Sequence, residues 1–336
     1  MRRTTRGHVG ALALASIALS LTACSAASSS SANTGTATAG KTITIAGVYG
    51  DTTDPFWVTL GCGAQQEATS LGVKYQGFTS TTLDTSAFSQ NFSSAELVKP
   101  NGIFVNPANP NQFITQYKTL MTQGVPVVTI NSSTPPSQYE VVGTGTNDTF
   151  LSQVVGLVTA RSGSMVVVNG IRGLVPVQIR LNPVVQAISS ARSGLKMLPT
   201  IYSGFDVNKA TASVSSDLIA NPDLKVIVAA DGPDGQAAAA AVQAADKAGK
   251  VTVIALDATP AEVAALKAGT IKALVAQSPL QIGEQQVLAL VAYIKAHPDG
   301  GPVSVAPTQV TVPQHLLTQS NINDSASSAW IYKSAC

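Results

Sequence analysis

Little in this chain is arranged to make or break bonds. His8 lies in a segment expected to be removed, His297 and His315 lie late in the chain, and no GxSxG, HExxH or GxxxxGK[ST] motif appears. Gly143-Thr144-Gly145 lacks the spacing of a GxGxxG loop. Asp231 and Asp234 make a carboxylate pair of the kind glycoside hydrolysis uses, but their spacing alone does not define one. No CxxC or Cys/His cluster offers metal ligands. No catalytic residue, cofactor or metal is therefore expected. What recurs instead is a polar residue directly after a short apolar run: Asn106, Asn131 with Ser132, Thr146, Asn169, Asp231 with Asp234, Asp257 and Gln277. Amides and carboxylates offer donors and acceptors together, which matches the dual nature of a hydroxyl. A buried site of such groups rejects ligands that leave them unpaired. The adjacent rings of Phe56 and Trp57 offer aromatic faces to the C–H face of a sugar ring, and Phe205 is a third ring in a similar place. Any one Asn or Asp could be a helix cap or turn former. Their repetition at the same end of successive runs sets them apart.

The elements that must position these residues alternate. Strands are expected at 42–48, 73–78, 102–106, 125–130, 164–169, 199–203, 225–229, 251–256 and 271–276. Helices are expected at 55–71, 110–123, 149–160, 176–195, 208–220, 234–248, 260–267 and 280–296. Runs such as Met165-Val166-Val167-Val168 and Val226-Ile227-Val228 suit strands buried on both faces, as in parallel sheets. Prolines open several helices and Gly72, Gly124, Gly249 and Gly269 follow helix ends. Strand-helix-strand repetition is the pattern of α/β architecture. There are more strands than one open sheet usually holds, so two doubly wound, Rossmann-like lobes are expected. Ligands of such sheets bind outside the carboxyl ends of the strands, where the polar residues fall.

The 336 residues are 45% hydrophobic and only 11% charged, against roughly 25% charged in an ordinary globular protein. That composition excludes general disorder. The balance of 20 Lys+Arg against 18 Asp+Glu leaves no electrostatic footprint for nucleic acid. Arg2, Arg3 and Arg6 precede an apolar stretch over 10–21, the layout of a signal peptide spanning 1–23. Leu21-Thr22-Ala23-Cys24 resembles a bacterial lipobox, so Cys24 is the expected lipidation site. Acyl chains there would hold the protein on the outer face of the cytoplasmic membrane. Residues 24–40, rich in Ser, Ala and Thr, read as a flexible tether. With Cys24 lipidated, Cys62 and Cys336 remain in an oxidising compartment, and a disulfide pinning the C-terminal tail is expected; two isolated thiols are the other arrangement.

Asp54-Pro55-Phe56-Trp57, Gly63-Ala64-Gln65 and Leu71-Gly72-Val73 together resemble the opening of type I periplasmic sugar-binding proteins of the ribose-binding group. Their pattern there is Asn-Pro-Phe-Phe, then Gly-Ala-Gln, then Leu-Gly. Likeness continues through 102–107, 124–130, 253–260 and Ala276-Gln277-Ser278-Pro279-Leu280-Gln281-Ile282-Gly283, and covers 42–315 in order. LacI-type repressors share the fold, but no helix-turn-helix precedes it here.

The resemblance implies two lobes joined by a three-crossing hinge: 41–147 with 279–309, and 148–278 with 310–336. Crossings are expected near 146–148, 277–280 and 308–312. It implies stacking by Phe56, Trp57 and Phe205, and polar contacts from Asn106, Asn131, Thr146, Asp257 and Gln277. Asp231 is favoured over Asp234, and Arg180 over Gln178 and Arg172, although these alternatives stay open. Asn131-Ser132 stands where the ribose group has Asp-Arg, so a charge-assisted pair is missing. The implied ligand is a neutral monosaccharide or related polyol, captured by hinge closure. The implied partner is an ABC permease, served by a monomeric, lipid-anchored binding protein that is not an enzyme. The other reading is a sugar or autoinducer sensor that signals to a membrane receptor.

Overall fold

The near-continuous apolar runs become strands buried on both faces. A computed structural model of the chain describes residues 42–107, 109, 111–131, 138–304 and 308–336. The expected leader, Cys24, the tether and Ser132 lie outside the described residues. The chain opens β1 (Thr44–Asp51), α1 (Pro55–Ser70), β2 (Lys74–Ser80), α2 (Thr85–Leu97), β3 (Gly102–Val105), α3 (Ile114–Thr122), β4 (Val127–Ile130) and β5 (Glu140–Gly145). It continues α4 (Asp148–Leu157), β6 (Ser162–Asn169), α5 (Val175–Ala191), β7 (Gly194–Met197), β8 (Ile201–Tyr202), α6 (Val207–Ala220), β9 (Leu224–Ala229) and α7 (Gly232–Ala244). Then come β10 (Thr252–Ala255), α8 (Pro260–Lys267), β11 (Ala273–Ala276), α9 (Pro279–Ala296), β12 (Thr308–Pro313) and β13 (His315–Leu317).

Two α/β lobes result. The first sheet runs β12-β5-β4-β3-β1-β2 and every pairing in it is parallel. The second runs β13-β11-β10-β9-β6-β7, with β8 also on β6, and only the edge pair β11–β13 is antiparallel. Strand order reverses between β1 and β3 in one sheet and between β6 and β9 in the other. Those are the switch points at which open α/β sheets leave a crevice.

The period-two alternation explains why the runs are apolar throughout. On β6, Met165 and Val167 join the core under α4 and α5, while Val166 and Val168 join the core shared with α6 and α7. On β3, Ile103 and Val105 face α2 and α3, and Phe104 faces α1. Helices α1 and α9 approach closely because each has a glycine at the contact. A Cβ added at Gly63 would lie 2.0 Å from the Leu280 carbonyl oxygen, and one at Gly283 would lie 2.1 Å from that of Leu60.

The chain changes sheet between β5 and α4, between β11 and α9, and at Gln314 between β12 and β13. The last change falls after Pro313, which still pairs with Gly145 in the first sheet, so it lies beyond the expected 308–312. Helix α2 was not expected. Its sequence TSAFSQNFSSAEL is mostly polar and buries only Phe88, Phe92 and Ala95, a stripe too narrow to register. Strand β5 was also missed, since Gly143 and Gly145 break its apolar pattern.

Candidate functional site

The crevice between the lobes is built from helix starts and strand ends. Asp54 caps α1, its Oδ1 accepting the Phe56 N–H at 2.9 Å, and Pro55 takes the first helical turn. That cap points Phe56 and Trp57 out of the carboxyl end of β1. The two rings meet edge to face, with centroids 4.9 Å apart. Phe56 belongs to the main core and also lines the crevice; Trp57 is half-buried.

From the second lobe, Phe205 enters on a turn after β8. Gly204 and Phe205 both have left-handed φ, +72° and +64°. A phenylalanine in that region is strained, and such strain is retained where surroundings over-determine it. The ring lies against the backbone of Gly170, where an added Cβ would come within 2.2 Å of it. Asp231 caps α7 by accepting the Asp234 N–H at 3.0 Å through Oδ1; its Oδ2, buried, has no partner among the described residues. Buried acceptors left over in this way are rare and suit a ligand donor.

Asp257, just past β10, is the hub. Its Oδ1 accepts from Arg180 Nη1 at 3.2 Å, Gln277 Nε2 at 3.2 Å and the Tyr332 hydroxyl at 2.7 Å. Arg180 Nη1 also donates to the Leu256 carbonyl at 2.8 Å. Gln277 sits on the second change of sheet, and its Oε1 accepts from Thr144 Oγ1 at 3.4 Å. The Thr144 N–H in turn donates to Asn131 Oδ1 at 2.7 Å. One polar chain therefore crosses from the first lobe to the second.

An inner chamber of about 90 Å³ is lined by Asp54, Phe56, Trp57, Leu83, Asn131 and Gln277 on one side. Leu174, Val177, Arg180, Phe205, Asp231 and Asp257 close the other. A single water needs ~10–15 Å³ of such space, so the chamber takes about six to nine water-sized groups. Asp54, Leu83, Phe205 and Asp231 also line an outer cleft of about 620 Å³, bounded by Thr81, Pro233 and Ser334. The chamber has room for one small ring, and the cleft adjoins it through these four residues.

The electrostatics are acidic and muted. Burial, aided by the carboxylates of Asp257 and Asp51, lifts Asp54 to about 7, against partial relief from the Phe56 N–H and Arg180. Burial and the neighbouring Asp234 hold Asp231 well above the usual carboxylate range. Burial lifts Asp234 and Glu262 as well. Burial and Asp257 push the Tyr332 phenol well above 10. Carboxyls held as acids donate as well as accept, which again suits hydroxyls.

Eight of the expected ligand residues line this chamber: Phe56, Trp57, Asn131, Arg180, Phe205, Asp231, Asp257 and Gln277. Asn106 does not. It exchanges two hydrogen bonds with Gln286 on α9, 3.3 Å and 2.7 Å long, so the two amides hold each other away from the chamber lining. Thr146 does not line it either; the hydroxyl tied to Asn131 and Gln277 belongs to Thr144, two residues earlier. Of the arginine alternatives, Gln178 lines a separate groove with Asn169 and Tyr202, and Arg172 lies over the Tyr202 ring at 4.4 Å. Asp234 is fully buried behind Asp231. Cys62 and Cys336 are joined as a disulfide, with Cα atoms 5.5 Å apart. The sequence reading named Asp54 in its motif but expected no ligand role of it, and it passed over Tyr332. Asp54 could have been found as the departure from Asn in the Asn-Pro-Phe-Phe pattern. Tyr332 could have been found from the disulfide, which returns the tail to α1.

A model of the periplasmic binding protein domain matches residues 45–298, and the chain belongs to that family. It is 26% identical over 282 residues to the D-allose-binding periplasmic protein of Escherichia coli, covering 80% of this chain and 89% of that protein. It is 28% identical over 257 residues to the ribose import binding protein RbsB of Salmonella typhimurium, covering 73% and 82%. Among solved structures, an ABC transporter solute binding protein from Agrobacterium vitis, bound with alpha-D-tagatopyranose, superposes with a TM-score of 0.76. That match covers 87% of this chain and 99% of the other, at 23% identity, and speaks for the fold.

Proposed function

We propose that this protein is an extracytoplasmic solute-binding protein that captures a neutral monosaccharide or related polyol by closure of its lobes and delivers it to an ABC importer. What carries this reading is one arrangement: the rings of Phe56, Trp57 and Phe205 surround a small chamber whose polar rim is Asn131, Arg180, Asp231, Asp257 and Gln277. Rings take the C–H faces of a sugar, and the amides and acids take its hydroxyls. Arg180 is already paired with Asp257, so it neutralises a resident carboxylate and leaves little charge for an anionic ligand. The relatives whose names give allose and ribose point to the same ligand class. Only a ligand touching both lobes shifts the open–closed balance. Acylation at Cys24 would keep the protein beside its permease.

A thermal-shift screen of pentoses, hexoses, deoxysugars, polyols and nucleosides tests the ligand class. A sugar at 100 times its Kd should add about 2.7 kcal/mol. Trp57→Ala should weaken that sugar by about 2 kcal/mol, roughly thirtyfold. No stabilisation by any neutral sugar would remove the reading. Co-purification with a permease and nucleotide-binding subunits tests delivery; a membrane receptor found in their place would refute it.

A further inference from the structure

The last residues of the chain do more than finish the second lobe. After β13 the tail is anchored there by Asn321, whose Nδ2 donates to the Leu316 carbonyl at 2.9 Å. Trp330 stacks on His315 with centroids 5.1 Å apart. The Tyr332 N–H then donates to the Ala258 carbonyl at 3.0 Å and its hydroxyl to Asp257 at 2.7 Å. One residue later the tail changes allegiance. The Lys333 N–H donates to Thr59 Oγ1 on α1 at 2.7 Å, and Cys336 is bonded to Cys62 on the same helix. Between these anchors Ser334 lines the outer cleft. The Tyr332 ring meets Phe56 at 5.8 Å. The segment is therefore a strap that leaves one lobe beside the binding chamber and is covalently fixed to the other.

We propose that this strap is part of the binding site: Tyr332 sets which hydroxyl pattern a ligand can present to Asp257, and the Cys62–Cys336 link caps how far the lobes part. The proposal rests on the sugar-binding reading. Asp257 Oδ1 already accepts three donors, one of them the phenol, so a ligand hydroxyl can reach that oxygen only by displacing a resident donor. Chain geometry sets the cap. From Tyr332 to Cys336 the backbone spans at most ~3.3–3.6 Å per residue, about 14 Å over four steps. Opening beyond that reach must pull Tyr332 off Asp257 or stop.

Two measurements decide it. In the first, Tyr332→Phe and Tyr332→Ala are compared with the wild type by calorimetry against aldopentoses, aldohexoses and their methyl glycosides, with circular dichroism to confirm folding. Tyr332→Phe keeps the ring and frees one acceptor, so the affinity ratio between sugars differing by one hydroxyl should change by about tenfold. Tyr332→Ala should admit a methyl glycoside that the wild type refuses. In the second, small-angle scattering of the ligand-free protein is recorded for the oxidised wild type, the reduced wild type and Cys62→Ser/Cys336→Ser. Cutting the link should widen the distance distribution in both of the last two. Unchanged affinity ratios in Tyr332→Phe, or superimposable scattering with and without the disulfide, would overturn the proposal. A wild type that binds no sugar of the panel would remove the sugar reading alone, and the scattering would still judge the strap.

Discussion

Asp54 caps a helix and lines the chamber, and the two roles pull on its proton differently. The cap favours the carboxylate through the Phe56 N–H, while burial beside Asp257 and Asp51 opposes it more strongly, so the group titrates at about 7 against an ordinary 3.8. A folded-state value raised in this way means that the native protein holds the proton more tightly than the unfolded chain. The contribution of this group to stability is then full below about pH 4 and is lost as pH rises through 7, and Asp231, Asp234 and Glu262 act in the same direction. Asp84, held low by Ser86, Thr82 and the Ala87 N–H, acts oppositely only below pH 4, and His315, whose burial favours the neutral imidazole, opposes the trend within the window as one group against several carboxyls. The ligand-free protein should therefore melt higher at pH 5 than at pH 8, and Asp54→Asn, which can still cap α1, should narrow that gap in a fluorimetric pH series. An equal gap in the variant would exclude Asp54 as a source. At this scale most of the chamber was legible, because residues such as Asn131, Asp257 and Gln277 directly follow strands, where the fold must leave them. Asn106 follows a strand too, but its partner Gln286 is 180 positions away, and nothing local announces that the two amides pair with each other. Thr144 was overlooked for Thr146 because the strand there is broken by glycines and its end is hard to read.

Helices announced themselves where proline opened them. Helix α8 spans Pro260–Lys267, the range expected, because Thr259 and Glu262 form a capping box around a proline start. Helix α2 and strand β5 were hidden for the opposite reason, as their patterns are polar or interrupted by glycine. The glycines between α1 and α9 invite a test in which two effects have opposite signs. Gly283→Ala gains helix propensity, worth up to about 1 kcal/mol. It also places a Cβ 2.1 Å from a backbone carbonyl that cannot swing aside. Overpacking typically costs about 1–3 kcal/mol, so packing should win and the variant should unfold at lower urea. A more stable variant would mean that the two helices are not held at this distance in solution.

Among the described residues three changes of sheet join the lobes, and the tail adds a connection of a different kind, a disulfide. The two-lobed architecture followed from strand number and from apolar runs buried on both sides; the position of the third crossing did not, because β12 and β13 are separated by Gln314 alone. The bond between Cys62 and Cys336 closes a ring over a sequence separation of 274. A protease that nicks one exposed turn inside that ring opens it without shedding a piece. After limited digestion the protein should run as a single band without reductant and as two shorter ones with it. Outside the cell, where peptidases are abundant and no synthesis machinery replaces a damaged copy on the spot, such a molecule survives its first cut as one covalent body.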